Sequence, residues 1–341
     1  MESIRRLFLI HGLVFLATCL VATSAIAQSN WVGADLLAES AASACNGATF
    51  VGNAYAGGYY AFFSNGSSTL DLMQGSGFSF GAALGCSTSL VVGTAIGTST
   101  NSSYHPFAWK VGTTSPIDLL PASQGYIAGE AFGVFGNYEV GLVSKIDFQT
   151  STMPYLWIGT TEGGQLPTPS NIKSGSATAI AAQGIVGWYD PTTTNANSLT
   201  HQALLWLVPT LPPINLDPGY GNSVALAING ISQVGQAGNH PALWHGSAKS
   251  FIDLLPENFT SGACNGVLGN IQVGFVQTNF PPHAAVWSGT KASYVNLEKY
   301  LPSTLQYGSA ASAITTFGTK TYIYGYAYDQ SGHTHSVRWS K

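Results

Sequence analysis

The sequence predicts an all-β fold: a seven-bladed β-propeller of four-stranded blades, closed by the N-terminal strand completing the last blade. Two interleaved signatures, each recurring seven times, carry this expectation. A third observation supports it, since no helical period runs through the chain after its first residues.

The first signature is a short apolar stretch ending in an aromatic residue. It reads His105-Pro-Phe-Ala-Trp109, Met153-Pro-Tyr-Leu-Trp157, His201-Gln-Ala-Leu-Leu-Trp206, His240-Pro-Ala-Leu-Trp244, His283-Ala-Ala-Val-Trp287 and His335-Ser-Val-Arg-Trp339. Tyr59-Tyr-Ala-Phe-Phe63 fits the same slot, with Phe63 in place of tryptophan. The second signature is a hydrophobic residue before glycine, at Gly52, Gly93, Gly141, Gly187, Gly235, Gly274 and Gly325. Successive glycines are 39 to 51 residues apart, the length of about four short strands. A third, weaker signature is Asp-Leu or Asn-Leu, beginning at Asp35, Asp71, Asp118, Asn215, Asp253 and Asn296, with Gln165-Leu166 a degraded copy.

Within one unit, the run Ser223-Val-Ala-Leu-Ala-Ile228 is followed by Asn229-Gly230 and then by Ile231 to Gln236. Two apolar runs around Asn-Gly make a strong hairpin signal. The smallest runs, such as Ser40-Ala-Ala-Ser-Ala44 and Ser309-Ala-Ala-Ser-Ala313, belong innermost, where strands converge on the axis. The Val-Gly strand comes second, the aromatic strand third and the Asp-Leu strand outermost. In that phase, residues 31–36 form an outer strand without inner partners, and the chain finishes on a third strand. Pairing the two closes the ring and removes open sheet edges.

Composition limits the function classes. The 11 basic and 15 acidic residues make up 8% of 341, against about 25% in an average domain. A net charge of -4 gives no basic footprint for nucleic acid. No segment after residue 27 approaches the roughly 18 apolar residues of a membrane span. Strands this short, and a terminal Lys341, also argue against an outer-membrane barrel.

Residues 1–27 read as a signal peptide. Arg5 and Arg6 precede an apolar run, and Ala25-Ile26-Ala27 supplies the small residues of a cleavage site before Gln28. Cleavage leaves 28–341 as a single propeller domain, secreted to a periplasm or the extracellular space. An uncleaved anchor and lipid attachment at Cys19 rank below it, because small polar residues follow the run and Thr18 fits a lipobox poorly.

The His-x-x-x-Trp strand, the Asp-Leu strand and the hairpin of Ala227-Ile-Asn-Gly230 with Val234-Gly235 together resemble the HAF-repeat family of predicted extracellular repeat proteins. The resemblance covers residues 31–341. Phe63, Met153 and Gln165 depart from its pattern and make the first and third units the least typical. The resemblance implies a secreted, propeller-like domain and no particular activity.

The candidate site residues are few. His105, His201, His240, His283 and His335 start third strands and read as repeated structural residues, too far apart to share one ion. His333 and His335 form a His-x-His pair without a third ligand. The repeated Asp residues suit bonds to turn amides, and the tryptophans suit inter-blade packing. Glu130 is the one charge expected on an inner strand. It is either a ligand contact in the central channel or a solvated rim residue. A lone carboxylate is not the acid/base pair of a glycosidase, and no catalytic residues, metal or cofactor are assigned. Cys45 and Cys86 each lie seven residues before their glycine, hence at equivalent places in adjacent blades. They are either a disulfide, with Cys264 free, or two buried thiols.

The leading expectation is a non-catalytic binding module, acting as a monomer, that recognises an extracellular protein or glycan through loops 97–104, 146–152 and 190–200. The alternative is a polysaccharide-processing enzyme, a lyase or hydrolase, on the same scaffold.

Overall fold

A computed structural model describes residues 30–341, except 56–57, 98–99, 102, 147–150, 160 and 192–199. The expected targeting segment, with Ala27, Gln28 and Cys19, lies outside the described residues, as does most of the three long loops.

The alternating small and apolar runs form 28 strands in seven antiparallel sheets of four. Strand β1 (Val32–Ala38) comes first and stands apart from its sequence neighbours. The first blade is β2 (Ser40–Asn46), β3 (Thr49–Tyr55), β4 (Tyr59–Ser64) and β5 (Thr69–Asp71). The second is β6 (Phe78–Cys86), β7 (Leu90–Gly97), β8 (His105–Lys110) and β9 (Pro116–Asp118). The third is β10 (Ala128–Phe135), β11 (Tyr138–Ser144), β12 (Met153–Ile158) and β13 (Gly163–Gln165). The fourth is β14 (Ile172–Ala181), β15 (Gly184–Pro191), β16 (Gln202–Trp206) and β17 (Ile214–Asn215). The fifth is β18 (Ser223–Asn229), β19 (Ser232–Ala237), β20 (His240–Trp244) and β21 (Ile252–Asp253). The sixth is β22 (Ser261–Leu268), β23 (Ile271–Gln277), β24 (His283–Trp287) and β25 (Val295–Asn296). The last is β26 (Ser309–Phe317), β27 (Lys320–Tyr328) and β28 (Thr334–Ser340), completed on its outer edge by β1.

Each innermost strand touches the innermost strands of both neighbouring blades, from β2 through β26 and back to β2. This is a closed seven-bladed propeller, with the small-residue runs at the axis as their size requires.

The repeated glycine has a local cause. Every inner strand is irregular at one shared place, where Ser43, Leu84, Phe132, Thr178, Leu226, Asn265 or Ser312 is the extra residue of a bulge, and β6 and β14 carry a second irregularity near their starts. The carbonyl two residues earlier, as at Val224, turns over the second strand and occupies the place of a Cβ on the facing glycine, here Gly235. All seven Val-Gly glycines sit under such a carbonyl, so the motif is the footprint of the bulge.

The third-strand tryptophans face the preceding blade. Trp109 packs with Val51, Phe63 and Leu72 of the first blade, and Trp206 with Val140, Leu156 and Leu166 of the third. Six of them are at most 1% exposed, and each such ring is worth about 3–5 kcal/mol against alanine.

The register corrects two sequence assignments. In six blades the second-signature glycine pairs with the residue two before tryptophan, as Gly235 does with Ala242. In the first blade Gly52 pairs with Phe62, which puts Ser64, not Phe63, in the tryptophan place and Tyr60, not Tyr59, in the histidine place. A one-residue slip exchanges the faces of a strand. Phe63 therefore packs toward the second blade, and the seam with the last blade is filled by Phe50, Phe62 and Tyr324. Phe50 and Tyr324 stack there with centroids 5.3 Å apart. In the fourth blade Gly187 pairs with Leu204, so Gln202 holds the histidine place and His201 stands one residue outside it.

Candidate functional site

Inner and third strands begin on the same face of the ring, called the upper face below. On it the repeated histidine and the repeated aspartate prove to be partners. His105 Nδ1 lies 2.8 Å from Asp118 Oδ2, His240 Nδ1 3.0 Å from Asp253 Oδ1, and His335 Nδ1 3.1 Å from Asp35 Oδ2. The aspartate also closes a turn. Asp118 does so with its other oxygen, Oδ1 accepting the Leu120 N–H at 2.8 Å, whereas Asp253 uses the same Oδ1 that faces His240 to accept the Leu255 N–H at 2.8 Å. Each pair thus braces the third strand to the fourth.

Exceptions follow the chemistry. Where asparagine replaces aspartate in the sixth blade, His283 turns to Glu298 at 3.2 Å. In the fourth blade, Asn215 Nδ2 donates to Gln202 Oε1 at 2.9 Å, and His201 reaches Asp190 at 2.6 Å instead. The third blade loses both members together, with Met153 and Gln165 in their places. The first blade keeps Asp71 but has Tyr60 opposite it.

At the seam, the pair of His335 and Asp35 extends into a network. Asp329 Oδ2 lies 3.3 Å from His333 Nδ1 and 3.6 Å from His335 Nε2, and His333 Nε2 lies 3.7 Å from Glu39. Desolvation works against ionisation of Asp329, but N–H donation from His333 and Ser331 outweighs it and holds the carboxyl below its ordinary range. Among the described residues, no three His, Cys, Asp or Glu side chains converge as metal ligands.

Glu130 lies on the inner strand β10, two positions before the bulge residue Phe132. It is half-buried, and desolvation pushes its carboxyl up to about 7. The seven bulge residues themselves line one depression of about 370 Å³ around the axis. Leu84, Phe132 and Leu226 make it apolar on part of its circumference. Thr178 and Asn265 direct their polar groups to carbonyls of the next blade, at 2.6 and 2.9 Å.

A second acid, Glu139, escaped the sequence reading. It is fully buried on β11, burial pushes it up to about 7 against the pull of its backbone donors, and Oε2 accepts the Gly159 N–H at 2.9 Å. Gln233 and Gln272 do the same for Gly246 and Gly289, both at 2.7 Å. The readable signal was an acid or amide just before each of these Val-Gly pairs, with glycine two residues beyond the tryptophan. Glu130 pairs with Leu142 and Glu139 with Val134, so the two acids occupy opposite ends of their hairpin.

Cys45, Cys86 and Cys264 are free thiols in the structure. Burial pushes all three thiols up, that of Cys86 to about 11, and Cys45 is raised further by the nearby Cys86. Cys45 and Cys86 are thus neighbours across two blades.

No protein-family model matches the chain, and no curated protein matches it in sequence. Solved structures do resemble it. One is a puromycin-hydrolyzing peptidase of Mycobacterium tuberculosis, with TM-score 0.53 and 11% identity over 87% of this chain and 52% of that one. Another is the β-propeller domain of the Trilobed protease from Pyrococcus furiosus, with TM-score 0.52 and 9% identity over 89% of this chain and 97% of that one. The likeness is one of fold. The chain spans about half the length of the peptidase, and at these identities the catalytic roles of neither protein transfer to it.

Proposed function

We propose that this chain is a non-catalytic binding module that recognises an extracellular protein or glycan on its upper face, and that it is secreted, as the HAF-repeat resemblance implies. The supporting observation is where the exposed aromatic rings lie. Tyr55, Tyr59, Tyr220, Phe280 and Tyr307 are 46–78% exposed, and all five stand at the ends of second strands, the starts of third strands or in the loops leading into inner and third strands. Phe135 and Phe317 are the large exposed aromatic residues of the opposite face among the described residues. Rings of this kind, set among polar groups, are the usual anchors of recognition surfaces.

The experiment is a binding screen of the purified protein against immobilised glycans and extracellular proteins, run beside a Glu130→Gln variant. Binding in either arm supports the module, and its loss in the variant places the ligand at the channel. Silence in both arms defeats the reading.

A further inference from the structure

We propose that the upper rim of the first blade is a groove for a neutral glycan, with Tyr59 standing between two sugar positions. The proposal rests on the binding-module reading and gives it a site and a ligand class.

The first blade breaks the pattern of the others. In the second, fifth and last blades the repeated aspartate is held against a histidine, at 2.8 to 3.1 Å. With Tyr60 in the histidine place, no histidine pairs with Asp71 among the described residues. Asp71 Oδ1 accepts the Met73 N–H at 2.8 Å, and the residue is otherwise exposed. It lines a depression of about 470 Å³ together with Tyr59. Tyr59 also lines a second depression of about 270 Å³, whose wall includes Glu39, Asn53, Tyr55 and Thr334. The two therefore adjoin at this ring.

Tyr55 and Tyr59 are half-exposed, with centroids 5.3 Å apart edge to face, and Phe80 flanks Tyr59 from the next blade at 5.9 Å. Rings so braced give up little freedom when a ligand stacks on them. The polar groups choose among ligands. A sugar hydroxyl both donates and accepts, and the wall supplies both functions, through the Asn53 amide, the Thr334 hydroxyl and the carboxylates. An ammonium ligand would call for acceptors alone. Asp71 repels acidic sugars in one depression, while in the other Glu39 lies 3.7 Å from His333, which shares that wall, and the pair offers sugar hydroxyls both a donor and an acceptor.

The test is isothermal titration of the purified protein with neutral hexasaccharides of glucose, xylose, mannose and N-acetylglucosamine, and with a uronic-acid hexasaccharide. The variants are Tyr59→Ala and Tyr60→His, the second giving Asp71 the partner it has in other blades. At least one neutral oligosaccharide is expected to bind. Tyr59→Ala should weaken it about tenfold, the scale of one aromatic contact. Tyr60→His should weaken it several-fold without lowering Tm. Tyr59→Ala alters a half-exposed ring and keeps the test intact if Tyr60→His perturbs the blade. The groove is refuted by silence with every neutral sugar, by preference for the acidic one, or by indifference to both variants. Capture of a defined protein in the screen above, without any glycan, would refute the groove and leave the binding module standing.

Discussion

His335 Nδ1 lies 3.1 Å from Asp35 Oδ2, a contact between residues 300 positions apart that ties the last strand to the first. Trp31 and Trp339 are buried in one cluster beside this pair. The apolar packing and the six-residue register of β1 on β28 hold the seam, while the ion pair, half-exposed on its Asp side, adds little. Asp35→Asn is therefore expected to cost less than about 1 kcal/mol in urea unfolding. Deleting residues 28–38 should instead abolish the single cooperative transition. A truncated chain that unfolds with an unchanged midpoint would show that the ring does not depend on this closure.

The bulge carbonyl over each Val-Gly glycine leaves no room for a methyl group. Gly235→Ala should destabilise the protein by about 3 kcal/mol or more, since the obstacle is the Val224 backbone and cannot rotate away. Gly164→Ala, where nothing lies within 4 Å of the added carbon, should change stability by less than about 0.5 kcal/mol. Equal effects from the two would undo this account of the motif.

Glu139 occupies a place where two other blades carry glutamine. Its folded-state proton affinity is raised to about 7, so the folded chain binds more protons than the unfolded one between about pH 4.3 and 7. The acid's contribution is thus full below pH 4 and is lost as pH rises through 7. Glu139→Gln should raise Tm by a few degrees at pH 8 and leave it nearly unchanged at pH 4.5. A variant less stable at pH 8 would mean that the carboxylate is needed as a charge.

Cys45 and Cys86 are close but protonated at neutral pH, which slows attack on a disulfide. Treatment with glutathione disulfide should oxidise them jointly, releasing two glutathione molecules per bridge, faster at pH 9 than at pH 7. Thiol titration after denaturation would then find one of the three thiols beyond Gln28. Three remaining thiols, with no bridged peptide by mass spectrometry, would show the pair to be held apart.

The blade count, strand order and closure were legible because they rest on repetition, and seven ordered copies of a weak motif reinforce one another. Slot assignments were less secure where a copy is degenerate. Tyr59-Tyr-Ala-Phe-Phe63 offers two adjacent aromatics at either end, and only the pairing of Gly52 with Phe62 chooses between the registers. The pairing of histidine with aspartate was hidden because each residue has a plausible separate role. Its trace was the spacing of 13 residues that His105 and Asp118 share with His240 and Asp253, which ring closure replaces by 300 for His335 and Asp35. The groove beside Tyr59 could not be read at all, since Glu39, Asp71 and Thr334 come from different blades.

Closure of the ring by β1 also sets a timetable. The strand is synthesised first, yet its hydrogen-bonding edge waits for β28, made about 300 residues later. Through that interval an apolar, unpaired edge stays available to other chains and to proteases. Bringing such distant segments together also incurs the entropy of a very long loop. Nascent copies of this protein would therefore have to be shielded from one another until β28 has been made.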